Sequence, residues 1–178
     1  MSILSVFHAS SAHLPGKVLT HHEDVVTTLA EQGVRFERWD SGVSLRPGTP
    51  SQAVLEQCAA TLDGLQGAYH CQAVRLLNCD GVDATTAGLR DEHVHPVDEV
   101  LTVLGGRVQV AMRLADQVLS VLCEKGDLVR IPAGVARWFE LGERPFCLAL
   151  RLFEHERGVM PRFTGNAQAR EFPGIDEL

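Results

Sequence analysis

The sequence predicts a mostly β fold, a small barrel or double-sheet jelly roll that follows an N-terminal extension with two helices. Two observations predict it. From residue 69 onward, apolar residues occur in short alternating or continuous runs that turn-forming residues separate. Before residue 68, apolar residues recur at helical spacing in two stretches. Many short strands separated by turns are typical of barrels and jelly rolls.

The N-terminal extension begins with an apolar run at residues 3–7, which predicts a short strand. Thr20 and Glu23 have the spacing of a capping box, so we expect a helix from there to about residue 32, ended by Gly33. Residues 34–39 alternate between apolar and polar side chains and predict a second strand.

A second helix is predicted from Pro50 to about residue 66. Proline is favourable in the first turn because its missing N–H would have no partner there. The apolar residues that recur every three or four positions are Leu55, Cys58, Leu62 and Leu65. They predict one buried stripe along this helix.

The barrel is predicted from the runs that follow. Its expected strands are residues 69–77, 98–104, 107–114, 117–124, 128–131, 136–141 and 146–153. The segments expected to turn between them include Gly105-Gly106, Ala115-Asp116, Lys125-Gly126-Asp127 and Pro132-Ala133-Gly134. We therefore expect a single domain over residues 1–178, with the extension at 1–67, the barrel core at 68–157 and a C-terminal tail at 158–178 that wraps over the barrel.

Composition and charge point to a small molecule as the partner. The 178 residues, 45% of them hydrophobic, are enough to bury a core without disulfides. The formal net charge of -7 and the lack of a Lys/Arg run argue against nucleic acid and against an anionic membrane surface. The oligomeric state is left open between a monomer and a small homo-oligomer.

Compartment is predicted from the cysteines and from the apolar runs. The five cysteines are odd in number and show no paired spacing, so we expect reduced and mostly buried thiols. The first residues lack a basic segment followed by a long apolar one, and no run has the length that a bilayer requires. These features predict a cytoplasmic protein.

The segment D-E-H-V-H-P-V-D-E at residues 91–99 is the candidate functional site. In an extended strand the side chains of His93, His95 and Glu99 can point the same way, with a bend at Pro96-Val97. Two imidazoles and one carboxylate form the facial arrangement that suits Fe(II) and tolerates other divalent metals. The alternative is a polar strand face whose histidines are solvated.

Several ordered motifs carry a resemblance to a known family. They are G-V-R-F-E-R-W at 33–39, E-H-x-H-x-x-x-E-V at 92–100, V-L-C-E-K-G-D-L at 121–128, P-A-G-x-x-x-W-F at 132–139, R-L-F at 151–153 and F-T-G at 163–165. Together they resemble the acireductone dioxygenases of bacterial methionine salvage, which are cupins. The resemblance covers nearly the whole chain.

The resemblance implies a cupin-type double-stranded β-helix that binds one Fe(II) or Ni(II) through three histidines and a glutamate. The implied substrates are 1,2-dihydroxy-3-keto-5-(methylthio)pentene and O2. By motif, His93, His95 and Glu99 match three metal ligands. Phe139 matches an aromatic wall of the pocket, and Arg151 matches an arginine near the substrate.

Two positions depart from the family pattern. Arg137 stands where the family has its fourth ligand, a histidine, and Leu101 stands where it has an arginine. An arginine has no free lone pair and cannot ligate a metal. Two interpretations of Arg137 remain open: it binds an anionic group of a substrate or compensates for the missing arginine, or it forms an ion pair with Glu99 or another acid and leaves the site inactive.

Three functions are consistent with these residues. The first is a metal-dependent dioxygenase that cleaves acireductone or a related oxygen-chelating enediol. The second is a diverged cupin with impaired or different metal binding, which acts on another substrate or binds a small molecule without turnover. The third is a zinc or manganese isomerase acting on a sugar-like molecule without O2.

Overall fold

The computed structural model describes residues 1–81 and 84–178, and the side chains of these except 84, 85 and 87. Its strands are β1 (Ile3–His8), β2 (Lys17–Leu19), β3 (Arg35–Arg38), β4 (Ala73–Asp80), β5 (His93–Val94), β6 (Glu99–Leu114), β7 (Gln117–Glu124), β8 (Asp127–Ile131), β9 (Ala136–Glu140), β10 (Phe146–Phe153) and β11 (Arg162–Phe163). Its α-helices are α1 (His22–Glu31), α2 (Ser51–Gln57) and α3 (Ala59–Tyr69). Short 3-10 helices follow β4 and β10 and form part of the tail. The mostly β prediction is therefore confirmed.

The N-terminal extension is built into the sheet by its strands. β1 pairs with β7 along its whole length and with the short strand β2, which the sequence did not predict, while β3 pairs with β8. Helix α1 packs Val25 and Leu29 into the main core. The predicted capping box is wrong, because the residue at the N-cap is His21 and not Thr20.

The single helix predicted from Pro50 is two helices. The backbone of Cys58 has φ −95° and ψ 4°, which ends α2 and begins α3. This bend lets Val54, Cys58 and Leu65 reach the same buried cluster. Helix α3 then continues to Tyr69 and ends at His70 in the left-handed region, so β4 begins four residues later than the strand predicted from residue 69.

The two strands predicted on either side of Gly105-Gly106 are one long strand, β6. Gly106 has φ +70°, and a Cβ there would lie 2.0 Å from the carbonyl oxygen of Phe146. The register of β10 against β6 shifts next to this point, between Leu148 and Ala149. The glycine pair therefore accommodates a bulge and a close backbone approach within the sheet, and does not form a turn.

Strand β6 joins the two layers of the jelly roll. Its first half pairs with β8 and β10, and its second half pairs with β7 and β9. In the described chain the eleven strands form one sheet that folds over itself without closing. The main core lies between the layers, and the start of β6 lies at one end, near β5, β9 and β10.

Residues near the C-terminus pack against the sheet. Phe172 contacts the rings of Phe7 and Trp138, and the carbonyl of Pro173 accepts a hydrogen bond from Gln109. All five cysteines are buried and in the reduced form, as the sequence predicts. Among the described residues, none of the helices has the length and apolar character needed to cross a membrane.

Candidate metal centre

Two histidines from the short strand β5 form the centre of the site. The backbone of His93 pairs with Arg137 of β9 on one side and with Phe163 of β11 on the other. Each imidazole is fixed by its Nδ1 atom, which lies 2.8 Å from a backbone carbonyl oxygen: Asp91 for His93 and Gly158 for His95. A carbonyl oxygen only accepts, so Nδ1 carries the proton and Nε2 keeps its lone pair.

Both Nε2 atoms are buried and, among the described residues, have no hydrogen-bond partner. The imidazole centroids of His93 and His95 are 5.3 Å apart with the rings nearly perpendicular. The rings of Phe139 and Phe153 pack on them at 5.9 and 4.9 Å. Burial lowers the pKa of His93 to about 4 and lowers the pKa of His95, so both imidazoles are neutral at pH 7.

Glu99 lies at the start of β6, is fully buried and binds two arginines. Its Oε1 accepts a hydrogen bond from Nη1 of Arg137 at 3.0 Å, and its Oε2 accepts one from Nε of Arg151 at 2.7 Å. Burial alone would raise the pKa of Glu99, but the charges of Arg151 and Arg137 outweigh it and lower that pKa to about 2. The carboxylate is therefore ionised.

Arg137 is fully buried, and three acceptors hold its guanidinium. Its Nε donates to the carbonyl of Val135 at 3.0 Å, its Nη2 donates to the carbonyl of Pro132 at 3.1 Å, and its Nη1 donates to Glu99. Of the two interpretations that the sequence left open, the structure shows the ion pair with Glu99. Burial lowers the pKa of Arg137, and Glu99 opposes that shift.

Arg151 lies on β10 between two aromatic rings. Its guanidinium is 5.2 Å from the ring centroid of Phe139 and 5.3 Å from that of Phe153. The residue opposite it on β6 is Leu101, which is part of the apolar core. Arg151 thus places a guanidinium on β10 directly opposite Leu101, the position where the family pattern has an arginine. Phe139 lies two residues after Arg137, on the same face of β9, and its ring faces the imidazole of His93.

The donor set fits a divalent metal in part. Two ligand atoms that each lie about 2.1 Å from one ion are at most about 4.2 Å apart, and Oε1 of Glu99 lies 4.0 Å from Nε2 of His95. The two imidazoles offer free lone pairs, whereas both oxygens of Glu99 are bound to arginines. Within residues 1–81 and 84–178, no three His, Cys, Asp or Glu side chains are gathered closely enough to hold a metal ion.

The sequence did not reveal the groups that orient the predicted residues. Four of them are backbone carbonyls, of Asp91, Gly158, Val135 and Pro132, and a carbonyl has no sequence signature. Phe153 and Phe163 belong to the R-L-F and F-T-G motifs, and those motifs were the only signal for their place beside the histidines.

This folded-over sheet, with a buried histidine pair and a glutamate at one end, is the architecture of the cupin class of dioxygenases. A family model described as the ARD/ARD' family matches residues 19–161. The chain therefore belongs to the ARD/ARD' family.

Curated relatives and a solved structure agree with that assignment. Proteins named acireductone dioxygenase from Pseudomonas fluorescens and Pseudomonas syringae pv. tomato are 42% and 39% identical over 181 residues, covering 99% of this chain and 100% of each relative. An acireductone dioxygenase from Bacillus anthracis, solved with a cadmium ion in its active centre, superposes with a TM-score of 0.73 at 19% identity, covering 92% of this chain and 98% of that one. The predicted cupin fold and enzyme class are confirmed, and the roles of individual residues remain predictions.

Proposed function

We propose that the chain cleaves a small enediol with O2, an activity in keeping with the name acireductone dioxygenase that its relatives carry. The proposed substrate is 1,2-dihydroxy-3-keto-5-(methylthio)pentene or a related molecule that chelates through adjacent oxygens, and the proposed pathway is methionine salvage. The observation that carries the proposal is the pair of buried, neutral imidazoles whose Nε2 atoms lack a partner in the described structure. Such atoms are costly to bury unless a metal or another group binds them.

One divalent metal, Fe(II) or Ni(II), would be held by His93 and His95. Glu99 would be the third donor after a rearrangement of its carboxylate, because both of its oxygens are bound to arginines in the described structure. When bound, the metal would supply a Lewis acid and a template for the two oxygens of the enediol. The carbonyls of Asp91 and Gly158 support this role, because they fix the tautomer in which Nε2 can coordinate.

Arg151 is proposed to orient the substrate. Its Nε is bound to Glu99, and the two rings of Phe139 and Phe153 hold the guanidinium plane. The Nη groups at the far end of that plane are suited to an anionic oxygen of the enediol. The same rings form apolar walls that exclude water from the reacting atoms, and a side-chain exposure of 12% keeps Arg151 within reach of solvent.

The proposal is tested by O2 consumption with acireductone generated in the assay and Fe(II) or Ni(II) added. We expect uptake by the wild type and a loss of at least about a hundredfold in His93→Ala, because an imidazole that fixes the metal is removed. His13→Ala, which changes an exposed histidine outside the site, is the matched control and should retain the wild-type rate. A wild-type protein that consumes no O2 with either metal, or a His93→Ala variant as active as the wild type, would contradict the proposal.

A second function is favoured by one observation, the ion pair between Arg137 and Glu99. In that case the chain binds a small anionic molecule without turnover. The thermal midpoint in the presence of a metal chelator and anaerobic acireductone separates the two functions. A ligand-dependent rise without metal supports the binding protein, whereas a rise only with added metal supports the dioxygenase.

A further inference from the structure

The two oxygens of Glu99 are not equivalent. Oε1 is the oxygen that lies 4.0 Å from Nε2 of His95, so it is the one a shared metal ion would use. Oε1 is also the oxygen that Arg137 binds, at 3.0 Å. Arg151 binds the other oxygen, Oε2. The guanidinium of Arg137 and a metal held by the histidines would therefore use the same carboxylate oxygen.

We propose that Arg137 is an internal competitor for the metal: its guanidinium occupies Oε1 of Glu99 and keeps the site in a state of low metal affinity. The inference rests on the proposed metal site at His93, His95 and Glu99. Arg137 does more than fail to supply a fourth ligand: its guanidinium lowers the metal affinity of the site, and replacement by any neutral residue should raise that affinity.

The charges of the site support this assignment. Glu99 contributes one negative charge and its two partners, Arg137 and Arg151, contribute two positive charges, so this buried cluster carries one net positive charge before a dication is added. Like charges repel more strongly where solvent is excluded, so this net positive charge opposes the binding of a dication. If Arg137 is replaced by a neutral side chain, Glu99 still has Arg151, and the remaining pair is electrically balanced.

Arg137 cannot withdraw from this position easily. The guanidinium is bonded to two backbone carbonyls besides Glu99, the side chain is fully buried, and its backbone pairs with His93 across β9 and β5. A metal that uses Oε1 must therefore share this oxygen with Nη1 or break its hydrogen bond. The two carbonyl bonds of Nε and Nη2 keep the positive charge of the guanidinium beside the metal in either case.

The test is a titration with Co(II) alone, followed by its visible absorption and by calorimetry, on the wild type, Arg137→Met, Arg137→Gln and Arg137→His. Met and Gln are neutral residues of similar length and supply no imidazole. The proposal expects both to bind Co(II) about tenfold to hundredfold more tightly than the wild type, the range that loss of one charged hydrogen bond represents. Arg137→His should gain at least as much, because it also adds a donor.

Arg38→Met is the matched control. Arg38 pairs with Asp127, which is also fully buried and keeps its bonds from Ser2 and the amide of Glu124. That carboxylate lies at the opposite end of β8 from Ile131, the partner of Glu99. Loss of the Arg38 guanidinium changes the net charge of the protein by the same amount as loss of the Arg137 guanidinium, and it should leave Co(II) affinity unchanged. Addition of His93→Ala to Arg137→Met should abolish the gain and assign it to this site.

The outcomes separate the inference from the function on which it rests. Tighter Co(II) binding by Arg137→Met and Arg137→Gln, together with unchanged binding by Arg38→Met, supports the proposal that Arg137 competes with the metal. A gain in Arg137→His alone overturns it, because the missing imidazole would then be the sole cause of weak binding, and the metal site would stand. An equal gain in Arg38→Met also overturns it. If even Arg137→His fails to bind Co(II), the proposed metal site fails and the inference fails with it.

Discussion

At the scale of single residues, Glu99 is a proposed metal donor that two arginines already bind. A carboxylate has enough lone pairs to bind a metal and to accept hydrogen bonds, but two buried guanidiniums determine which of these is favoured. The sequence identified the three partners, Glu99, Arg137 and Arg151, without showing how they pair. That pairing depends on the register of β9 against β5 and of β10 against β6, and single residues do not reveal register.

Tyr69, the one tyrosine of the chain, gives a prediction about pH. Burial and a hydrogen bond to Glu37 raise the pKa of its phenol from 10.0 to about 12. Absorbance at 295 nm should therefore show a tyrosinate midpoint near pH 12 in the folded protein, and Glu37→Gln should lower it. A midpoint near pH 10 in the wild type would contradict the contact.

The raised pKa of Tyr69 also makes the free energy of unfolding depend on pH. Between about pH 10 and 12 the folded protein keeps a proton that the unfolded chain releases, so the unfolded state binds fewer protons. The contribution of Tyr69 to the free energy of unfolding is therefore complete below pH 10 and is lost as the pH rises toward 12. Tyr69→Phe has no phenol to titrate and should lack this part of the alkaline loss.

At the scale of elements, the close backbone approach at Gly106, next to the bulge of β6, makes this long strand possible. Gly106→Ala places a Cβ 2.0 Å from the carbonyl oxygen of Phe146 at a positive φ. Gly33→Ala is the matched control, since its φ is +77° and no atom lies within 4 Å of the added Cβ.

We expect Gly33→Ala to lower the free energy of unfolding by about 1 kcal/mol, the cost of the left-handed backbone alone. Gly106→Ala should cost at least about 2 kcal/mol more, because the overlap with the backbone of β10 requires a shift of the sheet. Urea unfolding measures both values. Equal decreases in the free energy of unfolding of the two variants would show that the close approach of Gly106 to Phe146 adds nothing to the cost of the substitution.

The elements also show what periodicity can predict. β7 and β10 have the bounds that the sequence predicts, because apolar residues make up most of each run. The predictions failed where a backbone contact or a bend decided the structure. A Gly-Gly pair reads the same in the sequence whether it forms a turn or lies beside a bulge. The bend at Cys58 buries this side chain in a cluster that also contains residues from strands far away in the sequence.

At the scale of the whole molecule, the fold and its enzyme class were predictable because ordered motifs extend across most of the chain. The state of the site was not, because it depends on contacts between residues far apart in sequence. Arg137 and Glu99 are 38 residues apart, and Arg151 and Glu99 are 52 apart. The substitution of the fourth ligand was visible in the sequence, whereas the occupation of Oε1 required the structure.

The burial of all five cysteines is a property of the complete core and gives a further prediction. Burial raises the pKa of Cys58, Cys71, Cys123 and Cys147, and the thiolate is the form that reacts with a disulfide reagent. We expect the native protein to react with a thiol-specific disulfide reagent at least about a hundredfold more slowly than the unfolded chain, which should show five thiols. Rapid reaction of even one thiol in the native state would indicate that the core opens.

The carbonyl that orients His95 belongs to Gly158, 63 residues further along the chain. A Cβ at that glycine would lie 2.1 Å from Val97, so the backbone can approach the imidazole only because the residue has no side chain. A growing polypeptide consequently contains both histidines, and Asp91 that orients His93, long before it contains the carbonyl that selects the tautomer of His95. The oriented histidine pair is therefore complete only after residue 158 has joined the fold.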